Sequence, residues 1–224
     1  MSFIVAIDGP AGAGKGTITK KVAEKLKLVN VDTGATFRCV ALNMLDKNIG
    51  IEEEEKIKEV LDKINIEMKS NGEIFLNGEN VTKRIRENDV NNLVSPVSTI
   101  QPVRDKLLEI QRKIAEGKDV IMEGRDIGTV VFPNANVKIY LDATPEERAK
   151  RRVLQNEEKG IKTSYKEVLE NIKDRDKRDS NRKVAPLKKA DDAIYIDSSN
   201  MTIDEVVENV IALINDKYNN SNVK

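Results

Sequence analysis

Nine consecutive residues, Gly9-Pro10-Ala11-Gly12-Ala13-Gly14-Lys15-Gly16-Thr17, combine the residue types that anion chemistry requires. Glycines let a backbone turn back on itself and bring N–H groups close to phosphate oxygens. Lys15 adds a point charge able to reach the β- and γ-phosphates of a nucleotide, and Thr17 adds a hydroxyl able to serve Mg²⁺. The spacing follows G-x-x-x-x-G-K-[ST] with one displacement. Gly16 takes the place after the lysine, and the hydroxyl comes one residue later. The bland alternative is a glycine-rich turn without a ligand. The flanks weigh against it: an apolar, β-branched run, Phe3-Ile4-Val5-Ala6-Ile7-Asp8, comes before, and helical spacing of Ile18, Val22, Ala23 and Leu26 comes after. Strand, loop and helix in that order aim the positive end of a helix at the loop.

Other strands must carry the rest of such a site. Leu28-Val29-Asn30-Val31-Asp32 reads as a second strand, and Asp32-Thr33-Gly34 as the turn and cap of a helix. That helix carries Phe37, Val40, Ala41, Met44 and Leu45 on one stripe. Arg38, near its start, is either a solvated cation or a phosphate ligand. Asp119-Val120-Ile121-Met122-Glu123 is a strand ending in an acid, placed to orient Mg²⁺ or its water. A polar loop, Gly124-Arg125-Asp126-Ile127-Gly128-Thr129, leaves its carboxyl end, where open α/β sheets gather ligands. Residues 137–141 and 193–197 are the fourth and fifth strands. Thr144 and Pro145 open a helix as cap and first residue, residues 203–214 form a closing amphipathic helix, and the polar tail 218–224 is expected to fray.

Two stretches interrupt this pattern. In residues 46–101, the acids 52–55 open a helix reaching about Ile64 and complement its dipole. Short alternating runs around Asn71-Gly72 and Asn77-Gly78 then predict an antiparallel meander, followed by helices over 88–93 and 102–115. The second stretch is cationic. Arg148, Lys150, Arg151 and Arg152 lie on one helix, and a break at Lys159-Gly160 precedes another helix, from about Ser164 to Arg182. It reads as a nucleic-acid patch, a solvated salt-bridged helix, or a mobile lid laying arginines over a triphosphate. Its interleaved aspartates weaken the first.

Lys+Arg and Asp+Glu both number 38, so the formal net charge is zero, which argues against a general nucleic-acid or anionic-membrane binder. No histidine is present, which excludes histidine metal sites and triads, and the one cysteine, Cys39, has no intrachain partner. No apolar run approaches the ~20 residues of a membrane span. The first strand starts almost at once, leaving no room for a signal peptide, so a cytoplasmic protein is expected.

The displaced Gly-Lys-Gly-Thr ending resembles nucleoside-monophosphate kinases more than GTPases or motor ATPases. Four stretches together are similar to the bacterial cytidylate kinases: residues 9–17, Val31-Asp32-Thr33-Gly34-Ala35-Thr36-Phe37-Arg38, Glu123-Gly124-Arg125-Asp126-Ile127-Gly128-Thr129-Val130-Val131-Phe132-Pro133, and Arg175-Asp176-Lys177-Arg178-Asp179-Ser180-Asn181-Arg182. The likeness covers nearly the whole chain. The loop is shared with many families; the last two stretches are far more specific.

The resemblance implies a P-loop NTPase fold of class α/β: a five-stranded parallel sheet with helices on both faces, an inserted β-meander subdomain and a helical lid. The implied domains are a core of 1–45, 117–144 and 190–217, a monophosphate-binding subdomain of 46–116, and a lid of 145–189. The implied activity is transfer of the γ-phosphoryl group of ATP to CMP or dCMP with Mg²⁺, by a monomer. By motif position, residues 9–17 bind ATP, and Thr33, Arg38, Arg125 and Arg182 hold the CMP phosphate. Ser95, Arg104 and Asp126 read cytosine, and Arg175 and Asp179 touch the sugar. Lys15, Arg125, Arg148 and Arg152 serve the transferring phosphate, and Thr17 and Glu123 the metal. Phe37 stands where the family often has Tyr, and Glu123 where it commonly has Asp. The rivals are an adenylate-type or shikimate-type kinase, against which the meander and the Arg125-Asp126 loop count, and a nucleotide switch, which lacks an Asn-Lys-x-Asp guanine reader.

Overall fold

The computed structural model describes residues 2–69, 71–158 and 160–221. In chain order the elements are β1 (Ile4–Asp8), α1 (Lys15–Leu26), β2 (Val29–Asp32), α2 (Thr33–Asp46), α3 (Glu54–Lys63), β3 (Ile66–Met68), β4 (Ile74–Leu76), β5 (Glu79–Asn80), α4 (Asn88–Val97), α5 (Gln101–Ala115), β6 (Val120–Gly124), β7 (Val137–Asp142), α6 (Pro145–Glu158), α7 (Tyr165–Asn181), β8 (Ile194–Asp197) and α8 (Ile203–Ser221). Among the described residues no helix is long and apolar enough to cross a membrane.

Five strands form one sheet in the order β2-β6-β1-β7-β8, every pair parallel. Parallel strands covered on both faces read as continuous apolar runs, and β1 and β6 do so. On one face Val5, Ile7, Ile139 and Leu141 pack against Val22 of α1 and Val207 and Val210 of α8. On the other, Ala6, Val31, Val120 and Met122 pack against Ala115 of α5 and against Ile127 and Val131. Each fully buried Ile, Leu or Val contributes roughly 1.5–3 kcal/mol. From β1 the chain goes to one side of the sheet for β2 and later to the other for β7 and β8. A crevice therefore opens over the carboxyl end of β1, where Asp8 pairs in register with Gly124 of β6.

The expected meander is present, as a three-stranded antiparallel sheet β3-β4-β5. Asn77 and Gly78 both have positive φ, at 51° and 88°, as a tight type I′ hairpin demands. The other Asn-Gly pair sits in a longer loop, where Gly72 has positive φ and Asn71 does not. Ile66, Ile74 and Leu76 of this sheet share one apolar cluster with Ala35, Val40 and Met44 of α2 and with α3, α4 and α5. A smaller cluster, Ala149, Val168 and Ile172, joins α6 to α7.

Three local expectations are corrected. Residues 124–129 are not a polar loop throughout: Ile127–Val131 forms one π-helical turn that buries Ile127, Gly128 and Val131. α4 runs past Leu93 through Pro96 to Val97; the carbonyl that Pro96 leaves unpaired belongs to exposed Asn92. α8 runs on to Ser221 instead of fraying from Tyr218, because the Tyr218 ring packs edge-on against Phe3 with centroids 5.1 Å apart. Residues 222–224 of that tail, and Lys159 of the expected helix break, lie outside the described residues.

Candidate active site

The glycine-rich loop leaves β1 and ends at the first turn of α1. Gly9 has φ 151°, and a Cβ there would fall on the Leu141 carbonyl oxygen, so only glycine lets β1 turn out beside β7. Pro10 and Ala13 are buried, which anchors the loop, while Ala11, Gly12 and Gly14 are at least partly open at its rim. Lys15 folds back across it, Nζ donating to the carbonyls of Gly9 (2.8 Å) and Pro10 (2.7 Å). Burial pushes its ammonium below the ordinary lysine range, and Arg125 pushes the same way. Thr17 is exposed, and its hydroxyl makes no hydrogen bond among the described residues.

Glu123, at the end of β6, stands in register with Asp32 at the end of β2. Its carboxylate makes no hydrogen bond or ion pair among the described residues. Burial pushes it up, and the charge of Asp32 adds to the push. Its Oε1 lies 3.0 Å from where a Cβ on residue 16 would stand. The carboxylate thus lies close against the position a side chain directly after Lys15 would take. Among the described residues no cluster of three or more acidic, Cys or His side chains could cage a metal by itself.

Cations converge on the same crevice. Arg38 reaches Asp32 (3.4 Å) and Asn91 (3.3 Å), and Asp32 also caps α2 through the N–H of Ala35 (3.1 Å). Arg125 Nε donates to Asp179 (3.0 Å). Arg175 lies 3.9 Å from the same Asp179 oxygen, and its buried Nε has no hydrogen-bond partner among the described residues. Burial, then Arg125, bring its guanidinium down to about 10. Thr33 turns its hydroxyl to the Glu123 carbonyl (2.7 Å), tying the start of α2 to β6.

Beside this group Arg104 and Asp126 form a buried ion pair. Arg104 also donates to the Ser98 carbonyl (3.0 Å) and lies over the Phe37 ring, 5.4 Å from its centroid. Arg182, assigned by motif to the phosphate, is placed with this pair: it lies 3.7 Å from the second Asp126 oxygen and donates to Ala185. Ser95 is half-buried on α4, and its hydroxyl makes no hydrogen bond among the described residues.

Arg148 and Arg152 differ sharply. Arg148 is 3% exposed. Its guanidinium is committed to the carbonyls of Ala143 (2.8 Å) and Ala11 (2.9 Å) and to Asp176. It therefore ties α6 to both the loop and α7. Arg152 is exposed and makes no ion pair among the described residues. Sequence reasoning passed over Arg86, which joins Arg38 at Asp32 (3.5 Å), and gave no role of its own to Arg151, whose Nη2 donates to the Ser198 carbonyl (2.6 Å). It also passed over Asp8, whose carboxylate accepts from the N–H groups of Ile127 (2.8 Å) and Gly128 (2.7 Å). A charge closing an otherwise buried strand was the available signal.

A phosphate loop off the central strand, a lysine folded within it, an acid on the adjacent strand and converging arginines define a P-loop phosphotransferase. A family model described as cytidylate kinase matches residues 5–216. A cytidylate kinase of Caldicellulosiruptor saccharolyticus is 51% identical over 93% of this chain and 94% of its own length. One of Fusobacterium nucleatum is 49% identical over 92% and 94%, and one of Bacillus subtilis 43% over 95% and 96%. The chain belongs to the cytidylate kinase family. In fold it is similar to an uncharacterized protein of Eubacterium ventriosum of known crystal structure, with TM-score 0.53 and 16% identity over 96% of this chain and 99% of that one.

Proposed function

We propose that this chain transfers the γ-phosphoryl group of ATP to CMP or dCMP, giving ADP and CDP or dCDP, as a cytoplasmic monomer in pyrimidine nucleotide metabolism. The observation that carries the reading, beside family membership, is the buried Arg104–Asp126 pair next to the cation cluster. Cytosine offers an N4 amino donor with O2 and N3 acceptors. A carboxylate for N4 and a guanidinium for O2 or N3 are its complement, and the Ser95 hydroxyl can accept from the same amino group. Uracil would turn a carbonyl toward the carboxylate and an N–H toward the guanidinium.

The acceptor phosphate is already an anion, so no general base is needed; positioning and charge neutralisation carry the step. Arg38, Arg125 and Arg175 receive the acceptor phosphate and sugar. Asp179 holds the two arginines nearest it, and Thr33 fixes the start of α2 beside them. Lys15 exchanges its two loop carbonyls for phosphate oxygens. The Thr17 hydroxyl and Glu123 carboxylate fit Mg²⁺: both are oxygen donors without a protein partner among the described residues. So few protein ligands suit a cation that completes its shell from phosphates and water. When bound, the ion neutralises charge on the triphosphate. Arg152 is free to swing onto the triphosphate, and Arg148 acts by tying α6 to the loop. Closure of α6 and α7 over the crevice excludes water, the competing nucleophile.

The test is kcat/KM for CMP over UMP in Asp126→Ala and Arg104→Met. A site built on buried polar pairing rejects a mismatched base by orders of magnitude, so both variants should erode the ratio far more than they weaken ATP binding. Arg125→Ala and Arg38→Ala should slow CMP and UMP alike. An unchanged ratio in Asp126→Ala would remove the base from this pocket.

A further inference from the structure

Asp8 is 4% exposed and no step above uses it. It ends β1, directly before the phosphate loop, and its carboxylate feels the Lys15 charge, yet both of its oxygens are hydrogen-bonded to the turn that follows β6. Oδ1 accepts from the N–H of Ile127 and Oδ2 from that of Gly128. These are the first two N–H groups of the π-helical turn, which no carbonyl within the turn can satisfy. Chain order places Asp126 to cap the second of them, since an aspartate at that position ordinarily bonds the N–H groups two or three residues on, here Gly128 and Thr129. Asp126 makes no such bond. Its carboxylate is turned to Arg104 and Arg182 instead. The fit is close: a Cβ on Gly128 would come 3.4 Å from Asp8 Oδ2 and 3.2 Å from Lys138 Cδ.

We infer that Asp8 is a positioning residue for acceptor recognition: by capping the turn from the neighbouring strand it frees the Asp126 carboxylate to face the arginines and the incoming base. This rests on the reading that Asp126 meets the base. It also couples the two halves of the site, because the residue that launches the phosphate loop fixes the register of the acceptor loop. π-helical turns are frequent at functional sites, and here Asp8 supplies the acceptors for the two N–H groups the turn leaves open.

Asp8→Asn keeps the volume and one acceptor oxygen, and Asp8→Ala removes both acceptors. In Asp8→Asn the CMP-over-UMP ratio of kcat/KM should fall about tenfold or more while KM for ATP stays within about twofold. The Asp8→Asn, Asp126→Ala double variant should lose no more discrimination than Asp126→Ala alone. In the nucleotide-free protein, amide hydrogen exchange at Ile127 and Gly128 should accelerate while β1 and α1 keep their protection. If Asp8→Asn does not fold, Asp8→Ser, which keeps only a shorter hydroxyl acceptor, should lower the same ratio. An unchanged ratio with a raised KM for ATP would assign Asp8 to the phosphate loop and overturn the inference, as would unchanged exchange at both amides. A wild-type enzyme without CMP preference would instead sink the base assignment, and the exchange result would still decide whether Asp8 holds the turn.

Discussion

Lys15 shows how a single side chain can be costly to bury and still be kept. Its ammonium is removed from water and faces Arg125, so both burial and a like charge press it toward neutrality. Two loop carbonyls offset part of that cost. An arriving triphosphate reverses the balance, because an anion at this point favours the charged form. Lys15→Ala should therefore lower kcat by ~10²-fold or more, the magnitude typical of a donor aimed at developing charge. A coupled ADP assay reading within a few-fold of wild type would sink its role in transfer. Arg148 is the contrasting residue. It looks like a phosphate ligand in sequence, but its guanidinium is committed to two carbonyls and Asp176.

At the scale of elements, the first turn of α1 and the end of β6 are fitted to each other through Gly16 and Glu123. A methyl at position 16 would meet Glu123 Oε1 at 3.0 Å. That oxygen is the tip of a flexible side chain, so the carboxylate would swing aside while helix and strand stay put. Gly16→Ala should leave the Tm within about 2 °C, in keeping with a change outside the packed core. The Mg²⁺ concentration for half-maximal rate should rise about tenfold, the usual cost of disturbing a metal's supporting groups. Unchanged Mg²⁺ dependence would separate Glu123 from the metal.

At the scale of the molecule, Lys15, Arg38, Arg125 and Arg175 repel one another around one crevice, and that repulsion adds to burial in holding Lys15 and Arg175 below their ordinary ranges. Nucleotides bound among these cations, which come from α1, α2, the loop after β6 and α7, would relieve that repulsion. Binding should therefore draw the meander region and residues 145–182 inward. Amide hydrogen exchange with both nucleotides present should show new protection in both segments relative to the free protein. Unchanged protection in both would mean a rigid enzyme.

The five strands were legible in the sequence, each to within a residue: β1, β6 and β7 because largely buried strands must be apolar, and the edge strands β2 and β8 as short β-branched runs before turn or capping residues. The phosphate loop was legible for the same reason: its chemistry is carried by local backbone geometry. The family-specific arginines could be placed by motif, and their number by counting. Which cation meets which acid is decided by elements far apart in the chain. Arg182 joins Asp126, Arg148 joins Ala11 and Asp176, and Asp8 caps a turn 119 residues away. No local period encodes such pairings. They arise when β6 lies down beside β1 and α7 packs on α6 and reaches the loop after β6, bringing buried donors and acceptors into reach of partners they cannot be buried without.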